Sequence, residues 1–225
     1  MTPANTRIAG AGRIAFHFKW EGPTYSLDSA CASSASATHL ACMSLLTKDI
    51  DMAVVGAANV VGYPHSWTSL SKSGVLSDTG NCKTYRDDAD GYCRADFVGS
   101  IVLKRLEDAV AQNDNILAVV AGSGRNHSGN STSITTSDAG AQERLFRKIM
   151  HNARVSPDDI SYVEMHGTGT QIGQVFHRYL MDIGTNISAV IQQRWGQLQT
   201  FSNIDEALNL YRLGVLRPTL AIVRL

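Results

Sequence analysis

The chain has 225 residues, with 20 Lys and Arg against 20 Asp and Glu, so its formal net charge is zero. Balanced charge argues against a nucleic-acid footprint or a polybasic membrane patch, and no apolar run approaches the ~18 residues of a membrane-spanning helix. Apolar residues make up 44% and charged residues 18%, below the ~25% of ordinary soluble domains, which suits one large or two small well-buried domains rather than a disordered segment.

The N-terminal stretch MTPANTRIAGAGRIAF has no apolar core of signal-peptide length. Thr24–Asp28 (TYSLD) reads as a short strand. Ala30–Leu46 follows, crowded with small residues and free of Gly and Pro; it reads as a helix buried on most sides, with Asp28 or Ser29 as its cap. Asp51–Val61 is a nearly continuous apolar run with β-branched residues, as expected of a strand covered on both faces. Tyr63–Arg94 is rich in Gly, Ser, Asp and Asn and reads as loops with short helical turns. Phe97–Leu106 and Ile116–Gly122 are further strands. Asp138–Asn152 is an amphipathic helix with Leu145, Phe146 and Ile149 on one side. Ser156-Pro157 opens a short helical turn, and Ile160–Met165 reads as a strand running into HGTGT. Helices alternating with apolar strands predict a layered α/β fold with a mostly parallel sheet. The character changes near Gln174: all six Lys precede it, and the last 52 residues carry five Arg and no Lys. Asn203–Leu213 reads as a helix with a capping box and a stop at Gly214, and no strand pattern is evident in this tail.

Two residues stand out chemically. Cys31 is expected at a helix N-terminus after a sharp turn, where unpaired backbone N–H groups favour an anion and present a thiolate as in a nucleophile elbow. The small residues after it leave room for a substrate arm, and the Cys31 N–H is placed to serve half of an oxyanion hole. The plainer reading of such a site, a small-residue helix start in a packed core, is the commoner one on these grounds alone. His166 ends a strand beside glycines that permit close approach, where α/β folds bind ligands; its Nε2 is suited to polarising a thioester carbonyl or stabilising an enolate. A turn histidine bonded to backbone is the plain alternative. Cys42, Cys82 and Cys93 read as small buried residues. No two cysteines are two to four residues apart and no His lies at finger spacing, so no metal site is expected. His17, His39, His65, His127, His151 and His177 form no ligand spacing and receive no role.

Several stretches taken together resemble one family. DSACASSASATHLA, DMAVVGAANVV, LSDTGNCKTYRDDADGYCRADFVGSIVLKRLEDA, ILAVVAGSGRNHSG and ISYVEMHGTGTQIG resemble, in order, the β-ketoacyl synthase (ketosynthase) domain of iterative polyketide synthases. TGNCKTYRDDADGYCRAD looks most like the fungal non-reducing type. The likeness covers about Arg13 to Gly173. It implies a thiolase-like layered α/β fold, two similar halves each built on a sheet between helices. It further implies that Cys31 is the nucleophile carrying the acyl chain as a thioester. His166 matches the first of two active-site histidines that serve decarboxylation of malonyl on acyl carrier protein. Glu164, Thr168 and Thr170 match positions that brace the His loop. The resemblance implies no metal or redox cofactor: the phosphopantetheine arm belongs to the partner carrier protein. The implied partners are acyl carrier protein and acyl and malonyl thioesters, with a homodimer among the expectations and no nucleic acid or membrane. The expected compartment is the cytoplasm, with reduced thiols.

The likeness stops at Gly173-Gln174, where the family continues with a Gly-Asp pair. The later Lys-Ser-Asn-Ile-Gly-His segment, with the second histidine, has no counterpart, nor has the Gly-rich segment giving a second oxyanion N–H. The expected organisation is therefore an incomplete fold. Residues 1–115 form the N-terminal-half segment with the nucleophile, 116–173 start the C-terminal half with the seam near Asn115, and 174–225 form a tail without family resemblance. The expected function is a decarboxylative Claisen condensation of malonyl-carrier protein with the Cys31 thioester, impaired by truncation. The alternatives are a non-catalytic remnant or carrier-binding module, and, less well supported by DGYCRAD, a thiolase.

Overall fold

In the computed structural model, residues 9–133, 136–160, 162–170 and 220–224 are described. Helix α1 (Gly10–Phe18) leads into an irregular segment and a 3-10 turn (Ala30–Ala32), which runs directly into α2 (Ser33–Leu46). Strand β1 (Met52–Asn59), helix α3 (Pro64–Lys72), strand β2 (Phe97–Arg105), helix α4 (Leu106–Ala111) and strand β3 (Asn115–Val120) follow. Helix α5 (Ala139–Ala153) and, far along the chain, strand β4 (Leu220–Arg224) complete the described elements.

The four strands form one sheet in the order β1-β2-β4-β3, and every bonded pair is antiparallel. This corrects the mostly parallel sheet expected from alternating helices and strands. β2 and β3 do run in the same direction around α4. They are not neighbours, because β4 lies between them and opposes both, with Val102 facing Val223 and Val120 facing Leu220. The register of β3 slips between Ile116 and Ala118, which leaves Leu117 in the bulge.

β4 also corrects the reading that the tail carries no strand. Its side chains alternate between the two faces of the sheet. Leu220 and Ile222 join Cys42 and Leu45 of α2, Val55 and Leu103. Ala221 and Val223 join Leu106 and Ala109 of α4 and Val119 on the other face. Residues 220–223 are each no more than 7% exposed. A five-residue run was too short and too isolated in sequence to announce itself; its central position comes from the gap between β2 and β3.

Charged side chains tie the helix ends to this core. Arg105 donates to the carbonyls of Leu45 (3.2 Å) and Ile50 (2.7 Å) at the end of α2, and pairs with Asp51 and Asp108. Buried Lys104 donates to Gln112 Oε1 and Asp114 Oδ2, so its charge is paired as burial requires. Asp138 caps α5 by accepting from Ala141 N. Leu145 and Ile149 pack close to Gly124, whereas Phe146, expected on the same face, is exposed.

Several other expectations fail. Residues 24–28 and 162–165 are irregular, not strands, because no described strand offers them ladder bonds. β1 is not covered on both faces, and α2 buries only Cys42 and Leu45. In Tyr63–Arg94, expected as loops with short helical turns, the helical part is a nine-residue helix, α3, with Pro64 at its start. The helix expected at Asn203–Leu213 lies outside the described residues. No helix among the described residues is long and apolar enough to cross a membrane.

Candidate active site

The turn before α2 is built from local bonds. Asp28 Oδ1 accepts from Ala30 N at 3.1 Å. Ser29 O accepts from Ala32 N. The Ser33 hydroxyl closes the turn from the helix side, accepting from Ser29 N (2.9 Å) and donating to Ala30 O (2.7 Å). Ser29 is the cap residue by position, yet its hydroxyl makes no capping bond and meets Ser36 instead. These bonds hold Ala30 at φ 52, a left-handed conformation that strains a residue with a Cβ by roughly 1–2 kcal/mol. Cys31 comes next and is exposed. The strained turn expected at Cys31 is therefore present, with an irregular segment in place of the expected strand.

The other thiols divide. Cys42, two to three turns along the helix, is buried, and burial pushes its thiol pKa up. Cys82 is half-buried and accepts from Cys93 N at 3.2 Å. Cys93 is exposed, against the expectation of a small buried residue. His39 is half-buried on α2, its Nδ1 2.9 Å from Ser123 Oγ. Burial, then the charges of Arg125 and Lys148, lower its pKa below the ordinary histidine value.

His166 is exposed, in a turn whose next residues include Gly167 at φ 50 and Gly169 at φ 64. Glu164, expected to brace this turn, is itself exposed and accepts a hydrogen bond from Tyr162, its neighbour but one. Thr168 and Thr170 are half-buried in the same turn. Three bonds join this turn to another part of the chain. Thr84 Oγ1 donates to Gly167 O at 2.6 Å, Gly91 N to Gly169 O at 3.1 Å, and the Tyr85 hydroxyl to Met165 Sδ at 2.9 Å. A Cβ on Gly169 would sit 2.9 Å from Gly91 O and 3.0 Å from Lys83 N.

Tyr92, in the segment that holds the His166 turn, is half-buried, and burial pushes its phenol up. Among the described residues, no hydrogen bond joins the Cys31 thiol to the His166 ring. Residues 84–91 are bonded to the His166 turn. Sequence reasoning assigned no role to Thr84, Tyr85 or Tyr92. The signal was the length of the stretch between α3 and β2, 24 residues without a regular element, since loops that long in compact domains are usually functional.

The family of β-ketoacyl synthase N-terminal domains matches residues 1–109, and that of β-ketoacyl synthase C-terminal domains matches residues 117–176. The chain is 91% identical over 167 residues to the non-reducing polyketide synthase hmp3 of Hypomyces subiculosus, and 85% identical to the non-reducing polyketide synthase ZEA1 of Gibberella zeae. In each case the alignment covers 74% of this chain and 8% of the relative, so the chain spans a small part of the curated relatives it matches. Among solved structures, the ketosynthase from module 6 of the bacillaene synthase of Bacillus subtilis 168 matches 80% of this chain and 33% of its own, with a TM-score of 0.77 at 39% identity. An oxazolomycin ketosynthase domain of Streptomyces albus JA3453 matches with a TM-score of 0.76 at 33% identity, over 82% of this chain and 34% of its own. The layered α/β fold is thus thiolase-like, as in ketosynthases, and the chain belongs to the β-ketoacyl synthase family.

Proposed function

We propose that this chain carries the acyl-accepting nucleophile of a polyketide ketosynthase, with Cys31 as nucleophile and His166 as a donor to the developing enolate. The Cys31 sulfur attacks the thioester carbonyl of an acyl-carrier protein. The new C–S bond forms as the carrier's phosphopantetheine thiolate leaves and takes up the proton given by Cys31. Malonyl on a carrier then loses carbon dioxide, and the electron pair of the broken C–C bond becomes an enolate whose oxygen faces the His166 imidazole. The enolate carbon attacks the Cys31 thioester, the Cys31 thiolate leaves, and a 3-oxoacyl-carrier thioester two carbons longer is released. The phosphopantetheine arm is the carrier's own, and the chemistry needs no metal or redox group.

The observation that carries this reading is Ala30, held in the left-handed region directly before an exposed Cys31 at the head of α2. Four local hydrogen bonds maintain strain at that point, and strain that the surroundings over-determine is characteristic of active sites. Glu164, Thr168 and Thr170 belong to the turn of His166 in the same reading. These 225 residues bring His166 and no counterpart of the second histidine, so acyl transfer is expected to outrun condensation. Loss of one such donor costs about 100- to 1,000-fold in rate.

The test gives the purified chain radiolabelled acyl-carrier protein and, separately, malonyl-carrier protein. Label retained on Cys31 and abolished by Cys31→Ala, with little carbon dioxide release, supports the proposal. Binding of carrier protein without label on Cys31 establishes the alternative, a carrier-binding remnant. Carbon dioxide release at the rate of an intact ketosynthase overturns the expected impairment.

A further inference from the structure

We infer that Thr84 and Tyr85 are positioning residues for His166. The inference rests on the ketosynthase reading of His166 above, but its geometry is independent of that reading. The His166 ring makes no hydrogen bond among the described residues, and the residue is exposed. Its orientation is therefore set by its backbone. That backbone is a turn with Gly167 and Gly169 in the left-handed region, which has no helix or strand ladder to hold it.

The restraints come from 75 or more residues away in sequence, and they fall on either side of the histidine. Thr84 Oγ1 donates to the carbonyl of Gly167, the residue after His166, at 2.6 Å. The Tyr85 hydroxyl donates to the sulfur of Met165, the residue before it, at 2.9 Å. Gly91 N closes the far end on Gly169 O. His166 thus sits between two anchored neighbours.

The bracing segment is itself internally bonded and strained. Asp90 accepts from Ser77 (2.8 Å) and Thr79 (3.0 Å) and pairs with Lys83 at 3.1 Å. Lys83 also donates to Asp88 O. Tyr85 is held at φ 68, a left-handed conformation that is a true outlier for a bulky side chain. Such strain persists only where surrounding bonds fix it. Here it carries the tyrosine into a half-buried position from which its hydroxyl reaches Met165.

The experiment uses the whole chain with Thr84→Val, Thr84→Ser, Tyr85→Phe and His166→Ala. Three quantities are measured on each: Cys31 acylation by an acyl thioester, carbon dioxide release from a malonyl thioester, and the NMR signals of the His166 ring, assigned by their loss in His166→Ala. Thr84→Val and Tyr85→Phe are expected to reduce carbon dioxide release about 10- to 100-fold, since small misplacements of a reacting group have effects of that order. Cys31 acylation is expected to stay within about 2-fold, and Thr84→Ser, which keeps the hydroxyl, to restore release. The His166 signals are expected to be single in the wild type and Thr84→Ser, and broadened or doubled in Thr84→Val and Tyr85→Phe. If the wild type releases no carbon dioxide, the role of His166 in the ketosynthase reading fails, and the ring signals alone decide the positioning. Unchanged ring signals in Thr84→Val and Tyr85→Phe, or a Thr84→Ser chain as impaired as Thr84→Val, overturn the inference.

Discussion

The turn at Cys31 and the turn at His166 solve the same problem in opposite ways. Both present one exposed side chain from a backbone in the left-handed region. At Cys31 the bonds that shape the turn are local: Asp28, Ser29 and Ser33 bond within a few residues of Ala30. At His166 the restraints come from Thr84, Tyr85 and Gly91. The first site can form as soon as α2 forms. The second needs the loop before β2 to be folded and docked. A locally coded site tolerates distant damage; a site coded by long-range bonds does not.

The sharpest way to break the second site is Gly169→Ala. The left-handed φ and a Cβ 2.9 Å from Gly91 O act together. The substitution is expected to destabilise the chain by about 2 kcal/mol and to reduce any His166-dependent step, while Cys31 acylation survives in the molecules that remain folded. A thermal melt beside an acylation assay checks this. Equal loss of acylation and decarboxylation per folded molecule would mean that the two turns are one unit.

Position 30 allows the converse experiment. Ala30→Gly removes the strain and is expected to stabilise the chain by about 0.5–1 kcal/mol, whereas Ala30→Val, β-branched at φ 52, is expected to lose about 1–2 kcal/mol. Denaturant midpoints measure both. A destabilised Ala30→Gly would show that the left-handed φ is not strained in solution.

The smallest expected effect is on pH dependence. The pKa of His39 is lowered by burial first and by Arg125 and Lys148 next. Its neutral form is thus favoured on folding. The stability this gives is present above the unfolded value near 6.5 and is lost as pH falls through the lower folded value. Melting temperature is expected to decline modestly from pH 7 to pH 5, and His39→Gln to flatten that decline. The His166 brace behaves differently. Ser77, with Lys83 and Thr79, holds Asp90 well below the usual carboxylate range. Its contribution is present above about pH 3.8 and fades only in stronger acid. A brace that loosens between pH 7 and pH 5, seen in the His166 ring signals, would contradict this.

What the sequence revealed follows the same division. The Cys31 turn, the α2 run and the capped α5 were legible because each rests on neighbours within a few residues, and β1 and β2 because their apolar, β-branched runs mark them as strands although their pairing is long-range. The irregular state of residues 24–28 and 162–165 was not legible, since strand-forming residues become a strand only when another strand offers ladder bonds. β4 was invisible for the opposite reason. Leu220–Arg224 is an ordinary apolar run, and only the space between β2 and β3 makes it a central strand. Of the expected His-loop braces, Glu164 is exposed and tied to Tyr162, whereas Thr84 and Tyr85 lay unremarked inside TYRDDADG.

The central claim is that the turn before α2 makes Cys31 the nucleophile of this chain, and the four thiols allow a direct test. Limited alkylation with iodoacetamide at neutral pH, resolved residue by residue by mass spectrometry, ranks their reactivity. Cys93 is the fair competitor because it too is exposed, and Cys42 is the buried control. The account predicts that Cys31 is modified first, ahead of Cys93 and Cys82, with Cys42 last. Modification of Cys93, Cys82 or Cys42 ahead of Cys31 would contradict it.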